Sequence, residues 1–219
     1  EDQNAGADAY NTAVGYEAGK EVTSGVRNVL IGGFAGDNLA GGSHNVAVGT
    51  YALSTEDTHG KNVAVGYSAL LVQNAGADAY NVAVGYNAGT SISTGVQNTI
   101  IGGLAGDALT TGSGNTAIGY NTSFSAVGAA NQTVIGNGAV GHADNVVVIG
   151  NAAVTAIHPG DDNGVDLGSQ AYSFKDAYIQ GSLKIGDTSG STYFQFPTAT
   201  GAAGQVLKVP SSGNILEWT

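Results

Sequence analysis

The 219-residue chain has no cysteine, no methionine, three prolines and only six lysine and arginine residues. The lack of cysteine excludes disulfides, thiolate catalysis and cysteine-ligated metals. With 17 acidic residues and a net charge of −11, the chain lacks the basic surface that nucleic acid or an anionic membrane requires, so we expect neither as a partner. No apolar run approaches the ~18 residues of a membrane span, and no signal peptide is recognisable. Because the chain opens on Glu1, we expect it to be part of a longer protein.

Glycine, by contrast, is abundant and regularly spaced. The motif Asn-Val-Ala-Val-Gly at residues 45–49 recurs with conservative changes along the chain. The repeated asparagines and glycines are Asn11, Gly15, Asn28, Gly32, Asn45, Gly49, Asn62, Gly66, Asn81, Gly85, Asn98, Gly102, Asn115, Gly119, Gly136 and Gly150. Successive glycines are 17, 17, 17, 19, 17, 17, 17 and 14 residues apart. A fixed period of this length predicts a solenoid in which each repeat forms one rung.

A longer period overlies the short one. Residues 4–49 and 74–119 are identical at 29 of 46 aligned positions. This identity indicates the duplication of a block of about four rungs. The single 19-residue step, from Gly66 to Gly85, lies at the junction between the two blocks.

Each motif predicts one short β-strand, because its side chains alternate between two faces. The residue before each glycine is always Val or Ile, which predicts that this position forms the core. Where the middle strand residue is Ala, the residue after glycine is larger, as in Tyr16, Tyr67, Tyr86 and Tyr120. If both side chains share one space, these tyrosines cover the small alanine face.

The conserved polar positions of the motif leave alternatives open. The asparagine at the start of each strand either stacks on the asparagine of the next rung in an amide ladder or caps its own turn. The glycine at the strand end serves either a turn with positive φ or a close approach of two backbones.

The pattern Asn-x-Ala-Val/Ile-Gly-x-x-Ala resembles the head repeats of YadA-type trimeric autotransporter adhesins, over about residues 8–153. The resemblance implies a left-handed parallel β-roll in which three chains assemble side by side. The typical rung of that family has 14 residues, whereas most rungs here have 17. We therefore expect about three additional residues in each outer loop. Similar repeats are also used by virus fibres.

The final third of the chain departs from this period. A turn-rich linker, residues 158–164, follows the repeats and divides a β-roll domain, residues 1–157, from a β-rich module, residues 158–219. Strands are predicted in the module at Ala177–Gln180, Ser182–Ile185, Tyr193–Phe196, Val206–Val209 and Ile215–Trp218. The sequences Leu-Gly-Ser…Phe-Lys-Asp-Ala-Tyr-Ile and Gly-Gln-Val-Leu…Leu-Glu-Trp resemble segments of bacteriophage tail-fibre proteins. The predicted fold class is therefore all-β throughout.

Few residues point to catalysis or to a metal. The chain has no Gly-x-Ser-x-Gly, His-Glu-x-x-His or phosphate-loop motif, so we expect no enzymatic activity and no required cofactor. A polysaccharide-degrading enzyme would need paired carboxylates in a groove, for which the repeats offer only Glu17, Glu21 and Glu56. One candidate site, for Ca²⁺, is formed by the carboxylate oxygens of Asp161, Asp162 and Asp166. Their spacing in the sequence is not that of an EF-hand. His158, repeated around a threefold axis, is a second candidate metal ligand.

Tyr10 and Tyr80 occupy equivalent positions in the two duplicated blocks. They form either an exposed aromatic stripe for sugar binding or, as we favour, side chains packed on the neighbouring rung.

The sequence favours a non-enzymatic structural and adhesive segment of a trimeric virion fibre, a phage tail fibre, whose outer loops attach to the host surface. The expected partners are two further copies of the chain, other fibre or virion proteins, and a host receptor, glycan or protein, that the sequence does not identify. The alternative is the head of a bacterial trimeric autotransporter adhesin on the outer cell surface.

Overall fold

The structure is a computed structural model of the 219-residue chain. It describes residues 9–56 and 58–157 and, beyond them, residues 171, 174–178, 184–186, 193–195, 202, 205, 207–208 and 217–218. The chain divides into two compact units, Glu1–Ile157 and His158–Thr219. Each unit is described by itself.

The first unit is a parallel β-solenoid, as predicted. Nine three-residue strands form one sheet in sequence order. They are β1 Thr12–Val14, β2 Val29–Ile31, β3 Val46–Val48, β4 Val63–Val65, β5 Val82–Val84, β6 Thr99–Ile101, β7 Thr116–Ile118, β8 Thr133–Ile135 and β9 Val147–Ile149. Equivalent residues pair directly, for example Ala47 with Ala64, so the motifs stack in register. The 17-residue period thus sets the strand positions, and the 19-residue rung keeps the same register.

The strand asparagines from Asn28 to Asn115 are buried, and Asn28 shows both of the roles that the sequence left open. The Asn28 side-chain oxygen accepts a hydrogen bond from the backbone N–H of Asn45, 2.8 Å away in the next rung. The Asn28 side-chain amide donates to the carbonyl of Gly42, also at 2.8 Å, across its own rung. Each such asparagine therefore joins two rungs and closes one turn, and this pairing offsets the cost of burying its amide.

The strand-end glycines likewise satisfy both predictions. Gly49 has a φ of +137°, in a region that side-chain-bearing residues rarely adopt. A Cβ atom added to Gly49 would lie 2.4 Å from the carbonyl oxygen of Gly66 in the next rung. Glycine is required here by the backbone conformation and by the closeness of the rungs.

The prediction that the residue before each glycine forms the core is wrong. The buried strand residue is the middle one, as at Leu30, Ala47 and Ile100. Because side chains alternate along a strand, burial of the motif asparagine turns the middle residue inward and the two flanking residues outward. Val48 is half-buried and Ile101 is exposed for this reason.

The prediction that tyrosines cover the alanine face is also wrong. Tyr16, Tyr67, Tyr86 and Tyr120 are exposed on the outside of the solenoid. Inside, the space beside the alanines is filled from the second half of each rung. Where the fourth residue after the strand-end glycine is itself glycine, the seventh is a buried apolar residue: Val22, Leu39, Ile92 or Leu109. Where the fourth is Leu53 or Leu70, the seventh is polar, so in the first six rungs one apolar side chain per rung fills this part of the core.

The described part of the second unit contains two short antiparallel pairs. In the first, β10 Lys184–Gly186 pairs with β11 Tyr193–Gln195. In the second, β12 Leu207–Lys208 pairs with β13 Glu217–Trp218. Ala177 and Tyr178 are not in a strand, contrary to prediction, and the remainder of that predicted strand lies outside the described residues.

Candidate interaction face

The solenoid presents one outer face made by alternate residues of each rung. In the fourth rung these are Lys61, Val63, Val65 and Tyr67, and none of them is buried. The buried residues Asn62 and Ala64 lie between them and point inward. Repetition of this pattern gives four columns of side chains along the rod, and we call this surface the open face.

The two central columns of the open face carry no charged residue in any of the nine rungs. The first column is Thr12, Val29, Val46, Val63, Val82, Thr99, Thr116, Thr133 and Val147, and the second is Val14, Ile31, Val48, Val65, Val84, Ile101, Ile118, Ile135 and Ile149. Every one of these residues is exposed or half-buried. The central columns therefore form an unbroken β-branched surface along the whole sheet.

Large side chains line one side of the open face, which we call the aromatic edge: Tyr16, Phe34, Tyr51, Tyr67, Tyr86, Leu104 and Tyr120. Adjacent rings are in contact. The Phe34 and Tyr51 rings stack with centroids 5.0 Å apart, and the Tyr67 and Tyr86 rings stack at 5.4 Å. Each ring comes from the first or the second residue after a strand-end glycine.

The opposite side carries most of the cationic groups of the solenoid. The residues before the strand asparagines are, from the first rung to the sixth, Tyr10, Arg27, His44, Lys61, Tyr80 and Gln97, and we call this column the basic edge. All six are exposed and have positive φ. Apart from Lys20, residues 9–157 contain no lysine or arginine outside this edge.

Two contacts organise the basic edge. A guanidinium nitrogen of Arg27 lies 3.4 Å from Nε2 of His44. Lys61 donates to the Asp78 carboxylate at 2.6 Å and to the Tyr80 hydroxyl at 2.9 Å. Tyr80 thus contacts the neighbouring rung through Lys61, but Tyr80 and Tyr10 are both exposed, 52% and 71%, so the favoured prediction that these rings are packed away is not met.

The pairing of Lys61 with Asp78 predicts a small stability change at acid pH. The hydrogen bond from Lys61 holds the pKa of Asp78 below its ordinary value, and Asp78 raises the pKa of Lys61. A carboxyl with a depressed pKa in the folded state contributes stability above its unfolded pKa, and this contribution is lost as the pH falls through the folded value. We expect Asp78→Asn to have a lower melting temperature than the wild type at pH 7, because it loses the ion pair with Lys61. The decrease should be small, because the pair is exposed to solvent.

The difference in melting temperature between the wild type and Asp78→Asn should shrink as the pH falls below the ordinary carboxyl pKa of 3.8 and disappear below the folded pKa of Asp78. Lys61→Gln is the matched control. The double variant Lys61→Gln/Asp78→Asn should have a melting temperature no lower than that of either single variant. A difference that persists unchanged through the acid range would contradict the assignment.

Of the three carboxylates that sequence analysis considered for catalysis, Glu17 and Glu21 both interact with Lys20. Glu17 lies 3.5 Å from Lys20, and Glu56 is completely buried in the core. The candidate metal ligands Asp161, Asp162, Asp166 and His158 lie outside the described residues. Within the described ranges, no three His, Cys, Asp or Glu side chains are grouped so as to hold a metal.

Glu56 and its counterpart Gln73 form a polar pair of core positions that sequence analysis missed. The Asn62 amide donates to Glu56 Oε2 at 3.3 Å, and the Asn81 amide donates to Gln73 Oε1 at 2.8 Å. His59 Nδ1 lies 3.9 Å from Glu56 Oε1. The two side chains therefore extend the asparagine ladder into the core in adjacent rungs.

This pair provides a reciprocal test of charge burial. We expect Glu56→Gln to raise the free energy of unfolding by about 1 kcal/mol, because a neutral amide is easier to bury than a carboxylate. Gln73→Glu should lower it by about 2 kcal/mol for the same reason. Urea unfolding at neutral pH measures both changes. Changes of the same sign in the two variants would contradict this account.

An open concavity of about 700 Å³ lies at the last rungs of the solenoid. Its lining includes Val140, His142 and Asn151. It contains one titratable side chain and no second group to act with it, so it is a weaker candidate site than the open face.

Comparison with protein-family models, with curated proteins and with solved structures gave no match. In the part of the chain that the structure describes, no helix is long and apolar enough to span a membrane.

The open face itself was missed in the sequence, although a signal for it exists. Tyr10, Thr12, Val14 and Tyr16 alternate over seven residues, and the equivalent residues do so in later rungs. Extending the alternation rule outward from the strand on both sides would have placed these residues on one face.

Proposed function

We propose that the chain is a non-enzymatic structural and adhesive segment of a trimeric fibre, and that the open face joins its copies. The observation that carries this proposal is the pair of uncharged, exposed columns that runs through all nine rungs. Monomeric proteins rarely expose an apolar patch larger than a few hundred Å².

The dimensions of the open face support assembly. Nine strands about 4.8 Å apart extend about 40 Å, and seven residues of each rung span about 20 Å. The resulting area, roughly 800 Å², is what each partner contributes to a stable protein interface. Self-association of this face would therefore bury enough surface to hold copies together.

Three copies fit the shape of the face. Three flat faces about 20 Å wide form a triangular prism whose walls lie about 6 Å from its axis, a depth that Val and Ile side chains fill. This geometry agrees with the side-by-side trimer that the resemblance to YadA-type heads implies. The resemblance of residues 158–219 to tail-fibre segments favours a virion surface as the setting.

In this proposal the remaining surface is available for attachment. The rungs stack at a constant spacing and the asparagine ladder ties each rung to the next, so the segment is a stiff rod. The loops away from the open face, such as residues 107–111, would meet the host receptor, a glycan or a protein. Other fibre proteins would continue the rod at its ends.

Sedimentation equilibrium on the purified chain tests the proposal. We expect the mass of three chains, and we expect Val65→Lys to raise the dissociation constant at least about 100-fold, because three like charges would meet in an apolar interface. Thr55→Lys, in an exposed loop of the third rung, is the matched control and should leave the mass unchanged. A wild-type chain that remains monomeric at all concentrations would overturn the proposal.

A further inference from the structure

The two edges of the open face are chemically different at the same rungs. The basic edge presents Arg27, His44 and Lys61 in the second, third and fourth rungs. The aromatic edge presents Phe34, Tyr51 and Tyr67 in those rungs. In the first seven rungs, neither of the two positions after the strand-end glycine carries a lysine, arginine or histidine.

The symmetry of packing decides which edges meet. When copies lie parallel, around an axis that runs along the rod, the basic edge of one copy faces the aromatic edge of the next at the same rung. When two copies lie antiparallel, related by a twofold axis along the strands, each edge faces its own kind. An antiparallel arrangement that overlaps all nine rungs would therefore place the cations of the second to fourth rungs beside the uncharged sixth to eighth rungs of the partner's basic edge, away from the aromatic rings.

We infer that the basic edge of one copy packs beside the aromatic edge of its neighbour, and that this pairing makes the copies parallel and in register. The inference rests on the proposed self-assembly and adds its direction and its contacts. Cations are attracted to aromatic rings and to tyrosine hydroxyls, and only the parallel arrangement places the two side by side. The chain already contains one such contact, since Lys61 lies 5.0 Å from the centre of the Tyr80 ring.

The charge of the molecule strengthens the argument. The chain has a net charge of −11, yet two of the three lysine and arginine residues of the solenoid lie in one column with a histidine between them. Among the described residues, Arg27 has no carboxylate within ion-pairing distance, and its side chain is exposed. Glu17 follows Tyr16 of the aromatic edge one rung below and, although it also contacts Lys20, would give Arg27 an anionic neighbour in the next copy.

Cross-linking tests the inference directly, because the chain has no cysteine. His44 and Tyr51 are exposed, lie in the same rung and stand on opposite edges. We expect the double variant His44→Cys/Tyr51→Cys, treated with a short bis-maleimide, to give a covalent trimer on a denaturing gel. Neither single variant should cross-link. The matched control His44→Cys/Thr55→Cys, with its second cysteine in the outer loop of the same rung, should remain monomeric on the gel.

The outcomes separate the inference from the proposed function. A monomeric wild type in sedimentation would overturn the proposed function. An oligomeric wild type, with a double variant that does not cross-link or with a single variant that does, would overturn the edge pairing alone. As a second measurement, Arg27→Gln should raise the dissociation constant about threefold for each interface, and Thr55→Gln, in the outer loop of the third rung, should leave it unchanged.

Discussion

Gly102→Ala is expected to lower the free energy of unfolding by at least about 3 kcal/mol. Gly102 has a φ of +135°, and an added Cβ would lie 2.2 Å from the carbonyl oxygen of Gly119. The neighbouring atom belongs to the backbone of a rung that is itself paired on both sides, so it has no room to move. Both backbone strain and displacement of the next rung contribute to the loss.

Gly76→Ala is the matched control for this substitution. Gly76 also has a positive φ, of +69°, but an added Cβ would meet no atom within 4 Å. Only the conformational cost remains, and we expect a loss of about 1 kcal/mol. Urea unfolding, followed by circular dichroism, compares the two variants. Equal losses would mean that strain alone, and not the closeness of the rungs, explains the strand-end glycines.

Asn98→Ala is expected to lower the free energy of unfolding by about 3 kcal/mol. The Asn98 side-chain oxygen accepts from the backbone N–H of Asn115 at 3.0 Å, and its amide donates to the carbonyl of Gly112 at 2.9 Å. Both partner groups lie inside the solenoid, where alanine leaves them without a hydrogen bond. Each buried polar group left unsatisfied costs about 1 to 3 kcal/mol.

Asn137→Ala is the control for the asparagine ladder, because Asn137 is exposed and follows a strand-end glycine rather than starting a strand. Its effect should stay within about 0.5 kcal/mol. Hydrogen exchange gives a second measurement: in Asn98→Ala the backbone amide of Asn115 should lose its protection more than the amides of the first rungs. Uniform loss of protection along the rod would contradict a local role for the ladder.

The repeat made most of the solenoid predictable. The spacing of Gly49, Gly66 and Gly85 fixed where the strands lie, and the alternation around them fixed which residues share a face. Both explanations considered for the asparagines apply at Asn28, because its side chain bonds to the next rung and also closes its own turn. Both explanations considered for the strand-end glycines apply in the same way.

The sequence did not show in the same way which residues of the second half of each rung are buried. Glu56 and Gln73 stand where other rungs have Leu39 or Ile92, and sequence patterns alone would place such polar residues outside. They are inside because the asparagine ladder supplies hydrogen bonds there and because Leu53 and Leu70 take the apolar space.

The sequence by itself determined the all-β fold of the repeats, the length of each rung and the in-register stacking of the strands, because a fixed period imposes the same local structure each time. Only the tertiary structure decided which face of the strand is inside. Alternation separates Val46 and Val48 from Ala47 but assigns neither side to the core, and hydrophobicity favoured the valines. The hydrogen bonds of Asn45 with the rungs before and after it bury that residue and turn Ala47 inward with it. Since these partners are 17 residues away, the open face and its two edges followed from contacts between rungs and not from the composition of one motif.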